Sequence, residues 1–265
     1  MRFGVISDVH GNLHALRAVV SDLRQQGVDG WLSLGDMIGY GPHPNECVEI
    51  IADLDAVGIA GNHELIALGE IEGAGSSRGA WRSHAWTAAA LNADVVAALA
   101  QLPRRMQVDG GIVLSHGSLD DPEEYVYTVT AAERQLARLA DEYPAAKLLL
   151  LGNTHHRLLC AQRLGCLPTT SPSPVRLDVS QRYLANPGSV GQSREWGWPP
   201  PAHAMLLDVG QLSVQFREVP YDINAARREL ARHGLRYEAI QAPPRLRWAA
   251  KRRVRDLLGA VGIHR

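Results

Sequence analysis

Five short segments carry residue types that can bind cations or move protons, and each directly follows an apolar run. Ser7-Asp8-Val9-His10 follows Val5-Ile6, Gly35-Asp36 follows Trp31–Leu34, and Gly61-Asn62-His63-Glu64 follows Val57–Ala60. Ser115-His116-Gly117 follows Ile112–Leu114, and Gly152-Asn153-Thr154-His155-His156 follows Leu148–Leu151. Carboxylate, carboxamide and imidazole together make a mixed oxygen and nitrogen ligand set. Such a set suits Mn, Fe or Zn better than Ca or a thiolate zinc site. Asp8 and His10 are two apart, so an extended backbone would turn both to one side. Asp36 has two carboxylate oxygens and can bridge two cations. Asn62 offers a neutral carbonyl oxygen, and His116 and His155 offer imidazole nitrogens. A glycine beside a ligand permits a sharp turn and leaves room for a substrate. One Asp-x-His or one Gly-Asp says little. Five such tips in one chain point to a shared site, because a buried carboxylate without a partner is costly.

The elements that must position these tips are legible in outline. Phe3–Ile6, Trp31–Leu34, Val57–Ala60, Ile112–Leu114 and Leu148–Leu151 are continuous rather than alternating, which predicts strands buried on both faces. Leu13, Leu16, Val19, Val20 and Leu23 recur at helical spacing. Further helices are expected over Asn45–Leu54, with Asn45 as N-cap, over Trp86–Leu99, and over Ala131–Tyr143 with Leu136 and Leu139 on one side. Strands alternating with helices predict an α/β fold, and a parallel arrangement would gather the five tips at one sheet edge. Gly73–Gly79 and Leu167–Pro174 read as irregular connections.

The motifs Asp8-x-His10, Gly35-Asp36, Gly61-Asn62-His63-Glu64, His116 and Gly152-x-x-His155 resemble, in this order, the motif set of the calcineurin-like metallophosphoesterase superfamily. Gly35-Asp36-Met37-Ile38-Gly39-Tyr40-Gly41-Pro42 and Asn186-Pro187-Gly188-Ser189-Val190-Gly191-Gln192 resemble its small bacterial and archaeal phosphodiesterase branch. The resemblance spans residues 1 to about 220. It implies a four-layer α/β sandwich of two mixed β-sheets flanked by helices. It also implies hydrolysis of a phosphate ester, with a phosphodiester preferred, by hydroxide at a dinuclear centre of divalent Mn, Fe or Zn. Asp8, His10 and His155 would hold one metal and Asn62 and His116 the other, with Asp36 between them. His63 would stabilise phosphate charge or protonate the leaving oxygen. The family usually places histidine where this chain has Asn153; an amide oxygen there can ligate, more weakly than imidazole. That departure favours a rival reading, a metal-depleted member of the fold serving as a binding or regulatory scaffold. His156 is read as a bystander, and Glu64 stands for the more usual Asp with the same charge.

Length and composition fit this picture. A chain of 265 residues with 46% hydrophobic content can bury one large core or one core and an appendage. The formal net charge of −1 conceals an asymmetry: residues 1–221 carry −8 and residues 222–265 carry +7. A metallophosphoesterase domain over 1–221 and a basic helical extension over 222–265 are therefore expected. After Pro243-Pro244, Leu246, Ala250, Val254, Leu257, Leu258 and Val261 would share one helix face. Packing of that face on the acidic body is preferred over docking to nucleic acid or an anionic surface. Cys47, Cys160 and Cys166 form an odd, sparse set, read as ordinary buried thiols in a reducing compartment. Neither a signal peptide nor a membrane span is legible, so the cytoplasm is the expected location. The expected partner is a phosphate-ester small molecule or a nucleotide. Asn186–Ser189 suits a type II turn, read either as a loop near the metal edge or as a tight turn alone; Arg194 could contact a substrate phosphate but reads first as a surface arginine, and His14 and His43 read as solvated. Trp196, Trp198 and Pro199–Pro201 read as a hydrophobic lid.

Overall fold

The computed structural model describes residues 1–73, 78–108, 111–195 and 199–241. The first half of the chain runs β1 (Arg2–Ile6), α1 (Leu13–Gln25), β2 (Gly30–Ser33), α2 (Pro44–Asp53), β3 (Val57–Gly58), α3 (Asn62–Ala67), α4 (Arg78–Ala90), α5 (Ala93–Leu99), β4 (Arg105–Val108) and β5 (Ile112–Ser115). It continues with α6 (Val129–Glu142), β6 (Leu148–Leu150), β7 (Arg157–Ala161), β8 (Gly165–Cys166), β9 (Val175–Arg176), β10 (Tyr183–Pro187), β11 (Ala202–Asp208), β12 (Ser213–Val219) and α7 (Ile223–Arg232).

The five expected strands are present but do not share one parallel sheet. They divide between two mixed six-stranded sheets, ordered β3-β2-β1-β11-β12-β9 and β4-β5-β6-β10-β7-β8. β1 pairs in parallel with β2, and β2 with β3, while β5 and β6 pair in parallel in the other sheet. Strand alternation explains the layering. Phe3 and Val5 of β1, with Leu148 and Leu150 of β6, enter the core between the sheets beside Leu32, Ile112, Leu114 and Met205. On the opposite faces, Ile6 joins Leu16, Val19 and Leu23 of α1, and Leu149 joins Leu136 and Leu139 of α6. Strands covered on both faces must be apolar throughout, which is why they read as continuous runs. The result is the four-layer α/β sandwich that the motifs implied.

Two helix expectations are corrected. The stretch expected as one helix over Trp86–Leu99 breaks between Ala90 and Ala93, where the Asn92 side chain accepts from Val95 N at 2.8 Å and starts α5. Asn45 does not cap α2. That helix starts at Pro44, a residue whose missing N–H costs nothing in a first turn. Asn45 instead ties the break, donating to Ala90 O at 2.8 Å and accepting from Asn92 N at 3.0 Å.

The cysteine expectation is also corrected. The β7–β8 hairpin sets Cys160 directly opposite Cys166, and the two form a disulfide; Cys47 is free and buried. Pairing across a hairpin is a matter of register, invisible in the bare count. Residues 222–241 lie on the body: Ala226 and Leu230 of α7 cluster with Ala239, Ile240 and Tyr40. The helix expected after Pro243-Pro244, Trp196 and Trp198, and most of Gly73–Gly79, fall outside the described residues. No helix among the described residues is long and apolar enough to cross a membrane.

Candidate metal centre

The loops after β1 and β2 are zipped together by backbone hydrogen bonds: Asp8 N to Gly35 O at 3.0 Å, His10 N to Asp36 O at 2.9 Å and Gly11 N to Met37 O at 2.9 Å. The loops after β5 and β6 meet through Gly152 N and His116 O at 2.7 Å. These ties carry the tips of both sheets to one place. Asp8, His10 and Asp36 do not stand on extended backbone. They adopt left-handed φ of 55°, 51° and 54°, as Asn153 and His155 do at 62° and 61°. Asp, Asn and His tolerate this region better than most residues, and such conformations concentrate at functional sites. Asp8 and His10 therefore converge through a tight loop rather than through strand alternation.

Six candidate ligands come together. His10 Nε2 faces His155 Nε2 at 3.0 Å, and Asp8 Oδ1 lies 3.1 Å from His155 Nε2 and 3.7 Å from His10 Nε2. Asp36 Oδ2 lies 3.2 Å from His116 Nε2 and 3.7 Å from His10 Nε2, between the two groups. Asn62 Oδ1, at the start of α3, is 3.1 Å from His116 Nε2. His63 Nε2 is 3.8 Å from Asp36 Oδ2. Asn153 is anchored by its amide nitrogen: Nδ2 donates to Pro122 O and Glu124 O at 3.3 and 3.2 Å. It makes no hydrogen bond with the other six among the described residues. His156 is exposed.

The three imidazoles share an orientation. Nδ1 of His10, His116 and His155 donates to Ile38 O, Leu34 O and Gln192 O at 3.2, 2.6 and 2.7 Å. This fixes the ring and leaves Nε2 toward the centre, the arrangement by which outer carbonyls orient metal-ligating histidines. Burial holds the pKa of His10, His63 and His155 well below the ordinary value, so their lone pairs stay open. Burial also disfavours charge on His116, but the adjoining Asp36 carboxylate outweighs it and pushes its pKa up to about 10. Asp36 is correspondingly held low: burial would raise it, and His116 and His63 overcome that. Protonation at this pair competes directly with a cation. Asp8 Oδ1 is buried without a hydrogen-bond partner. An orphaned carboxylate oxygen amid imidazole lone pairs is what a cation would satisfy. The groups Asp8–His10–His155, Asp8–Asp36–His116 and His10–Asp36–His63 each place their ligand atoms within 4.8 Å of one another.

The quoted motifs also supply supporting residues whose roles the sequence did not show, and His84 lay beyond them. Glu64 accepts from Gly61 N and Asp36 N at 2.7 Å and Ile38 N at 3.2 Å, so its carboxylate holds the Asp36 loop in shape. Burial pushes its pKa up to about 7. Tyr40 and His84 pack on the His63 ring, with centroids 4.6 and 4.5 Å away. The Asn186–Gln192 loop reaches the centre: Asn186 Nδ2 donates to Gly152 O at 2.6 Å, and Ser189 Oγ to Asp8 O at 2.8 Å. Two expectations of solvated side chains are overturned. Arg194 is 8% exposed, and the His43 side chain is 15% exposed. Arg194 returns on the buried loop that holds His155, a proximity the sequence does not encode locally.

Comparison with known proteins agrees with this geometry. A family model described as calcineurin-like phosphoesterase matches residues 1–183. The uncharacterized protein MJ0912 of Methanocaldococcus jannaschii is 30% identical over 234 residues, 87% of this chain and 92% of that protein. The crystal structure of a metallophosphoesterase from Sphaerobacter thermophilus is 33% identical, with a TM-score of 0.77, and covers 91% of this chain and 97% of its own. The hypothetical protein PH1004 of Pyrococcus horikoshii OT3 shares the fold at 20% identity, with a TM-score of 0.72 over 90% of this chain and 96% of its own. The family match over most of the chain, on top of clustered motif residues, means that the chain belongs to the calcineurin-like phosphoesterase family.

Proposed function

We propose that the protein is a metal-dependent phosphoesterase, acting by preference on a phosphodiester. The observation that carries this reading is Asp36 Oδ2 standing between two ligand groups whose histidines all turn Nε2 inward. Asp8, His10 and His155 would hold one divalent cation, Asn62 and His116 a second, and Asp36 both, with Asn153 a weaker contributor to the second. When bound, two such cations lower the pKa of water to about 7 and clamp the attacking and leaving oxygens of an in-line displacement. Mixed oxygen and nitrogen donors favour Mn, Fe or Zn. The chain's own residues supply placement. Ile38, Leu34 and Gln192 carbonyls fix the imidazoles, and Glu64 fixes the Asp36 loop. His63, 3.8 Å from the bridging carboxylate, would stabilise phosphoryl charge through a ring N–H; burial holds it neutral, so giving a proton to the leaving oxygen would require the substrate's negative charge to raise its pKa first. The diester preference rests on the resemblance of the Gly35–Pro42 and Asn186–Gln192 stretches to the phosphodiesterase branch. Activity in the cytoplasm on a small phosphate ester or nucleotide belongs to the same reading. The test is metal analysis of the purified protein, read with turnover of bis(p-nitrophenyl) phosphate and p-nitrophenyl phosphate under Mn, Fe and Zn. Turnover of the diester in excess of the monoester is expected; a metal-loaded protein that turns over neither would remove the proposal.

A further inference from the structure

We infer that Arg194 and Tyr125 form an anion subsite beside the metal centre, which receives a non-bridging oxygen of the substrate's phosphoryl group. This deepens the phosphoesterase reading and rests on it. Arg194 is 8% exposed and makes no ion pair among the described residues. Its three hydrogen bonds go to neutral acceptors: Nε to Gln192 Oε1 at 3.3 Å, Nη1 to Tyr125 Oη at 3.2 Å and Nη1 to Asn153 O at 3.3 Å. The guanidinium carbon lies 5.7 Å from the Tyr125 ring centroid. A guanidinium is always charged and presents five N–H donors. Three are used here, and both N–H groups of Nη2 take no partner among the described residues.

A buried cation without a counter-ion is unfavourable unless something compensates it. The position of this one indicates what does. Gln192, two residues away, holds His155 through its carbonyl, and Asn153 is two residues before His155. Cations held by Asp8, Asp36 and the histidines would add positive charge to the same space. The Asp8 carboxylate acts favourably on Arg194, but a cation held at the centre would take up that charge, and an anion brought in with the substrate would then compensate the guanidinium. A phosphoryl oxygen fits, because a guanidinium fork matches phosphate geometry.

A tie between loops is the competing role, since Arg194 also joins the Asn153 and Tyr125 segments. The test therefore reads anion binding separately from metal. Orthophosphate is titrated calorimetrically into the metal-loaded full-length protein and its Arg194→Gln, Arg194→Lys and Tyr125→Phe variants, with metal content and melting temperature measured on each. Loss of a charge-assisted hydrogen bond predicts that Arg194→Gln binds phosphate about 10- to 100-fold more weakly. Metal content should be unchanged, Arg194→Lys should recover part of the binding, and Tyr125→Phe should lose less. KM for an aryl phosphate should rise in parallel. Wild-type phosphate affinity in Arg194→Gln, or a loss that follows metal loss across the variants, overturns the subsite. So does a metal-loaded wild type that binds no phosphate. A wild type that binds phosphate through Arg194 but turns over no phosphate ester would instead leave the subsite standing and remove the hydrolase reading.

Discussion

His10 and His155 turn their Nε2 atoms toward each other across 3.0 Å, although 145 positions separate them in the chain. Each ring is locked from behind by a backbone carbonyl, and Asp8 Oδ1 stands beside both. Ligands of one cation act as a unit, so their removal should not be additive. His10→Ala and His155→Ala are each expected to lose the same metal ion, and the double variant should lose no more. Metal content by mass spectrometry checks this. Additive losses that reach the second ion would mean that the two histidines serve different sites.

Asp36→Asn should lower the content of both metals and abolish turnover. Its Oδ2 is shared by the His10 and His116 sides, and the amide cannot carry the charge that both require. An Asp36→Asn protein retaining two metals and near-normal turnover contradicts the bridging role.

Gly39 has φ of +91°, and a β-carbon there would collide with Nδ1 of His63. Gly39→Ala should therefore displace the His63 ring, which Tyr40 and His84 hold on its other sides. Maximal rate should fall toward the level of His63→Ala, roughly two to four orders of magnitude below wild type. Metal content should hardly change in either variant. Loss of metal as the main defect would assign His63 to the ligand set.

Asn153→His should lower the metal concentration needed for half-maximal activity, since imidazole binds these metals more tightly than an amide oxygen. The substitution also removes the Nδ2 hydrogen bonds to Pro122 O and Glu124 O. A variant whose metal requirement rises would show that holding the 122–124 segment matters more than a stronger donor.

His203 predicts acid sensitivity outside the candidate metal centre. Burial pushes its pKa down to about 4, aided by Arg157 and His156 and opposed by Glu195 and Glu218. The unfolded chain takes up this proton near pH 6.5, so below that pH it binds more protons than the folded chain. Stability is thus complete above about 6.5 and falls as the pH drops toward 4, by on the order of 3 kcal/mol. Chemical denaturation at pH 7 and pH 4.5 should show a smaller pH-dependent loss in His203→Gln than in wild type. Equal losses would refute the assignment.

The division between local and global information follows from how each feature arises. The clustered candidate tips were readable because both parts of the signal are local: a strand buried on both faces must be apolar throughout, and a carboxylate, amide or imidazole follows where it ends. Phe3–Ile6 before Asp8, and Leu148–Leu151 before His155, are of this kind. Three-dimensional placement decided the rest. Strand alternation could not reveal that Asp8 and His10 sit at left-handed φ, because the loop is shaped by hydrogen bonds to residues 35 to 37. The break at Asn92 depends on Asn45, and the Cys160–Cys166 bond depends on hairpin register. Arg194 read as a surface residue because arginines usually are; only the return of its loop to His155 buries it. Composition and periodicity set which surfaces must be covered and which side chains can bind. Which of them meet is decided by long-range packing of two sheets, which no window of sequence contains.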